Sequence, residues 1–67
     1  MERGVVKFVI PQGYAVDISI YDVMGRKVAN IKGENELIFR PKAGGVYFWV
    51  AETESGAKIK GKVVVLR

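Results

Sequence analysis

The fold this sequence predicts is all-β: a small immunoglobulin-like sandwich of about six to seven antiparallel strands. Three observations predict it. The apolar residues are strongly β-branched, with eleven Val and six Ile against two Leu. Such side chains are stiff at their first torsion and suit a pleated surface. Several segments alternate apolar and polar residues with the period of two that places successive side chains on opposite faces of a strand. Finally, Gly, Pro, Asn, Asp and Ser separate these segments at short intervals, and no stretch has the 3.6-residue period of a helix.

The first strand spans about Val5 to Ile10, with Val6, Phe8 and Ile10 on one face. Pro11-Gln12-Gly13 ends it, because Pro lacks an amide donor and Gly admits unusual backbone angles. The second strand, about Tyr14 to Tyr21, has the clearest alternation: Val16, Ile18 and Ile20 point one way, Asp17 and Ser19 the other. Asp22-Val23-Met24-Gly25 reads as a turn in which Asp22 bonds the backbone two residues on and Gly25 takes the left-handed position. A third strand follows at about Arg26 to Ile31, then a turn at Lys32-Gly33-Glu34-Asn35. A fourth covers about Glu36 to Arg40, with Leu37 and Phe39 on one face, and Pro41-Lys42-Ala43-Gly44 forms a loop.

The fifth strand, Gly45 to Glu52, is apolar on both faces, with Tyr47, Trp49 and Ala51 on one and Val46, Phe48 and Val50 on the other. It is expected to be central, with its second face either covered or kept for a partner. Near the start of such a strand, Tyr47 is placed to bond a backbone group at the preceding corner. Thr53-Glu54-Ser55-Gly56 is a hairpin turn. The last strand, about Ala57 to Leu66, sends Ile59, Val63 and Val65 inward with Gly61 in register, and Lys58, Lys60 and Lys62 outward. No internal repeat relates the two halves.

Composition narrows the chemistry. A chain of 67 residues forms one domain with a thin core. It has no cysteine and no histidine, so disulfide staples and Cys/His metal sites are excluded. A nucleophile needs an activating base beside it. The hydroxyls available, Ser19, Thr53 and Ser55, fall in a strand and a turn with no such base in the pattern, so no catalytic residue is expected. Glu34 with Glu36, and Glu52 with Glu54, are too thin for the six or more oxygens that calcium usually takes, so neither a metal nor a cofactor is expected. The net charge of +4 is modest. The lysines of the last strand read as an outer face, and as a guard against strand addition at an edge. Nucleic-acid binding would want aromatics among those lysines, and the last strand carries none, so no nucleic acid is expected. No apolar run approaches the roughly 18 residues of a membrane-spanning helix. Met1-Glu2-Arg3-Gly4 leads directly into a strand, so no signal peptide is expected in residues 1–67.

Three blocks carry a family resemblance. They are Ile18-Ser19-Ile20-Tyr21-Asp22 running into Gly25-Arg26-Lys27-Val28, then Gly45-Val46-Tyr47-Phe48, then Lys62-Val63-Val64-Val65-Leu66-Arg67. In this order they resemble the type A C-terminal sorting domain of the type IX (Por) secretion system, over about Val5 to Arg67. The resemblance implies a folded export signal and not an enzyme. Its partners would be the outer-membrane secretion machinery, a sorting peptidase and a covalently linked N-terminal cargo. The cargo would pass through the periplasm to the cell surface or exterior, and the domain would be the tail of a larger secreted protein. Residue by residue, the resemblance assigns recognition to Gly45, Val46, Tyr47, Phe48, Lys62, Val64 and Arg67, and a structural turn to Asp22, Gly25 and Arg26. The alternative is a structural immunoglobulin- or fibronectin-like accessory module of a surface protein. The immunoglobulin-like domain of flagellar hook-capping proteins shares the Tyr-Asp, Gly-Arg and Gly-Val-Tyr pattern. The doubly apolar fifth strand and the Val63–Leu66 run also make self-association an expectation.

Overall fold

The computed structural model describes residues 4–66. Six strands form: β1 (Val6–Val9), β2 (Val16–Tyr21), β3 (Lys27–Gly33), β4 (Glu36–Phe39), β5 (Gly45–Thr53) and β6 (Lys58–Val65). All are antiparallel to their neighbours. β1 and β4 make a two-stranded sheet, and β3-β2-β5-β6 make a four-stranded one. This is an all-β sandwich. Its strand order matches the B-E pair and the C′-C-F-G sheet of an immunoglobulin-like fold, with no A or D strand among the described residues.

The two sheets bury one face each. Ile18 and Ile20 of β2 are fully enclosed, joined by Leu37 and Phe39 of β4, Tyr47 and Ala51 of β5, and Val65 of β6. Val6, Phe8 and Ile10, the predicted inward face of the first strand, pack against this cluster. The Phe8 and Trp49 rings meet edge to face at 5.5 Å, and so do Phe39 and Tyr47 at 5.4 Å. Each such pair adds about 0.5–1.5 kcal/mol beyond the area it buries. In a core this small, four rings set its thickness.

The chain changes sheets between β3 and β4, at Glu34-Asn35. Asn35 takes a left-handed backbone (φ 67°), a conformation Asn tolerates better than most residues. Its carbonyl accepts the Ile10 amide at 2.7 Å, tying the end of β1 to this corner.

Most boundaries fall within one residue of the sequence expectation; two shift by two residues, and one orientation differs. The second strand starts at Val16, because the Tyr14 amide is drawn into a turn with the Pro11 carbonyl and the ring stands in solvent. The third strand runs on to Gly33, pairing as far as Val16. Ile59, expected inward, is 58% exposed. A two-stranded sheet is about half as wide as the four-stranded one it covers, and the outermost strand β6 is left partly roofless at that end.

Candidate functional site

The three blocks singled out in the sequence are separated by 16 and 13 residues, and strand register gathers them at one end of the four-stranded sheet. Tyr21 lies opposite Phe48, Phe48 opposite Lys62, and Gly45 opposite Val65. The Asp22–Gly25 turn, the start of β5 and the end of β6 therefore adjoin. The 41–44 loop enters β5 at the same end.

The turn is built as its residues predict. The Asp22 carboxylate accepts the Met24 amide at 2.9 Å and the Arg26 amide at 3.0 Å through Oδ1, while Oδ2 accepts Arg26 Nε at 3.1 Å. The Gly25 amide donates to the Asp22 carbonyl, and the Asp22 amide to the Arg26 carbonyl. Gly25 sits at φ 82°, where a side chain would be strained. This is a turn followed by a left-handed glycine, a geometry whose twist suits a hairpin. Five contacts converge on the five residues from Asp22 to Arg26, so the tip is held rigidly.

These bonds hold the Asp22 carboxyl below its ordinary value of 3.8. The largest cause is the hydrogen bond from the Arg26 amide; partial withdrawal from water opposes it, and the Met24 amide and Arg26 guanidinium reinforce it. With the folded value below the unfolded one, the stabilisation is complete above the unfolded value and lost as pH falls through the folded one. Asp22→Asn keeps an acceptor for the two amides but cannot be ionised. The stability gap between wild type and Asp22→Asn is therefore expected to be constant at neutral pH and to close on acidification below 3.8, as read by urea unfolding at a series of pH values. A gap that persists at acid pH would mean that the carboxylate charge contributes nothing to the turn.

At the start of β5 the residues divide by face. Tyr47 points inward, and its hydroxyl donates to the Ala43 carbonyl at 2.7 Å. This is the corner bond expected of it. Removing the hydroxyl in Tyr47→Phe leaves that carbonyl without its partner and is expected to cost about 1 kcal/mol. Urea titration of the two proteins measures it; no change would mean that water replaces the bond fully. Val46 and Phe48 point outward, as do Lys62 and Val64 on β6, so these four are the outward side chains of the predicted recognition set. Gly45 is exposed at the mouth of the strand. Arg67 lies outside the described residues.

Across the outer face the register produces a row of Lys27, Tyr21, Phe48 and Lys62. Lys27 Nζ stands 6.0 Å from the Tyr21 ring centroid. The last strand has no aromatic of its own, yet pairing sets Phe48 against one of its lysines. Sequence reasoning, reading each strand alone, missed this row. The signal that finds it is the pairing of β2 with β5, which no local pattern contains. β6 is the outer strand of its sheet, and Lys58, Lys60 and Lys62 are exposed there, as a guarded edge requires.

At the other end the outer face is ionic. Asp17 accepts Asn30 Nδ2 at 2.6 Å and pairs with Lys32 at 3.8 Å. On the two-stranded sheet, Glu36 of β4 pairs with Lys7 of β1 at 3.7 Å. These pairs are exposed and worth little individually. Among the described residues no polar or charged side chain is buried, and no three metal-binding side chains gather. The hydroxyls of Thr53 and Ser55 meet each other at 2.9 Å, and Ser19 accepts the Asn30 amide at 3.2 Å; neither arrangement puts a base on a nucleophile. No protein-family model, curated protein or solved structure matches the chain.

Proposed function

We propose that this domain is a type IX sorting signal. It is a folded address, carried at the C-terminus of a larger cargo, that the outer-membrane secretion machinery reads before a sorting peptidase acts. The cargo crosses the periplasm and ends at the cell surface or outside. One observation supports the reading best: the three blocks on which the family resemblance rests, far apart in sequence, converge on one end of one sheet. There they offer an outward set of Val46, Phe48, Lys62 and Val64 on a rigid frame. A receptor that must recognise many cargoes needs such a constant, cargo-independent surface.

The test is export of a reporter. Residues 1–67 are fused to the C-terminus of a fluorescent protein bearing a general export signal, in a bacterium with a working type IX system. The expected result is reporter at the surface or in the medium, lost when the translocon is disabled. Phe48→Ala combined with Val64→Ala, both on the exposed face, should leave the fold intact and reduce export. Reporter held in the periplasm with the domain folded would overturn the proposal. It would favour a structural accessory module, a role for which the Tyr47 corner and the all-β frame are equally suited.

A further inference from the structure

The converging end has a second property that the sorting proposal does not use. Val23 and Met24, at the tip of the β2–β3 turn, are 65% and 76% exposed. Leu66, just past β6, is 79% exposed, and Val64 on β6 and Phe48, paired with Lys62, are exposed on the outer face. Two strand spacings, about 10 Å, separate β2 from β6, so these side chains form one apolar rim. A rigid turn that keeps two large apolar side chains in water departs from the usual polar composition of turns.

Charge is sorted along the strands. Among the described residues, the end with the apolar rim carries Arg26, Lys27, Arg40, Lys42 and Lys62 and one acid, Asp22, whose carboxylate is bonded to Arg26 and to two amides. The opposite end, formed by the β3–β4 and β5–β6 turns, carries Asp17, Glu34, Glu36, Glu52 and Glu54 with Lys7, Lys32 and Lys58. In an anionic field the molecule therefore orients with its apolar rim foremost.

We propose that this end seats on an anionic lipid bilayer. Val23, Met24 and Leu66 enter the boundary between headgroups and acyl chains, and Lys27, Lys42 and Lys62 meet lipid phosphates. The turn is built to leave water cheaply. The amides of Asp22, Met24, Gly25 and Arg26 are all bonded within it, and the Asp22 charge is matched by Arg26. The residues at the tip are aliphatic or thioether. They offer no ring for a base to stack on, which favours lipid over single-stranded nucleic acid despite Tyr21 and Phe48 on the adjoining face.

The experiment is co-sedimentation of the 67-residue chain with vesicles of phosphatidylcholine alone and of phosphatidylcholine mixed with phosphatidylglycerol. Binding is expected only to the anionic vesicles, falling as salt rises. Met24→Asp should weaken it about tenfold or more. Lys27→Ala and Lys62→Ala should each weaken it about fivefold. Val9→Asp is the control: Val9 is 74% exposed but belongs to β1, paired with Glu36 toward the acidic end, and this change should leave binding unaltered. Circular dichroism verifies that each variant is folded. Absence of binding, equal binding to both vesicle types, or equal losses in Met24→Asp and Val9→Asp would overturn the proposal. So would binding to an oligonucleotide at the same salt that exceeds binding to vesicles. A dimer in light scattering that Met24→Asp dissociates would also overturn it, by assigning the rim to a second copy.

Discussion

Ile20→Ala is expected to remove about 3–4 kcal/mol of stability, within the range for truncating a fully enclosed large aliphatic residue. Ile20 is 0% exposed. It sits near the end of β2, with Ala29 opposite on β3 and Trp49 opposite on β5, so three strands lose contacts at once. Its neighbours are held by two ladders and cannot collapse into the space, and that is the condition under which cavities cost most. A domain of this size has a total stability of roughly 3–10 kcal/mol. The substitution therefore consumes a large share and should leave a measurable unfolded population in buffer. Urea unfolding followed by Trp49 fluorescence gives the number. Ile38→Ala, on the exposed face of β4, should change stability by less than about 0.5 kcal/mol. If the two variants behaved alike, the core would not lie between these sheets.

The second large effect is expected at Gly61. A Cβ built there falls 2.5 Å from the Trp49 ring, which lies across the strand from it. The indole is not free to swing away, since it also meets the Phe8 ring edge to face. Glycine inside a strand ordinarily weakens it, so replacement by a larger residue should normally help. Here the sign reverses: Gly61→Val should destabilise by about 2–3 kcal/mol through overpacking, and Gly61→Ala by less. Displaced Trp49 would also report the change directly, as a red-shifted emission of the folded state. A Gly61→Val protein as stable as wild type, with unshifted emission, would show that the indole does not cover the glycine.

Much of this fold was legible locally. The six strands follow from alternation and turn residues, and the inward sets Val16/Ile18/Ile20 and Leu37/Phe39 were readable from a period of two. Asp22 and Gly25 specify their turn because the relevant bonds reach only two to four residues. Gly61 was readable as a register partner on the inner face, though not as the seat of an indole. What failed to show were properties of pairing. Ile59 obeys the alternation of its strand and is nevertheless exposed, because coverage depends on how wide the opposing sheet is. The Lys27–Tyr21–Phe48–Lys62 row and the apolar rim each combine residues from three or more segments. Their existence depends on β2 lying beside β5, which the sequence encodes only through the summed preference of the whole core.

The split of the molecule into a four-stranded and a two-stranded sheet has a kinetic consequence. Within the larger sheet, β2–β3 and β5–β6 are hairpins closed by short turns and can form locally, in microseconds. The smaller sheet has no such start: its pairing of Val6 with Phe39 must close a long intervening chain, and an isolated pair of strands is barely stable in water. β1 thus joins last and leaves first. Slow folding, set by distant contacts, is the regime expected of such topologies, and the interval before β1 docks is when the Ile18–Ile20 face is bare. A chain arranged this way stays open to a carrier or chaperone for longer than its length alone suggests.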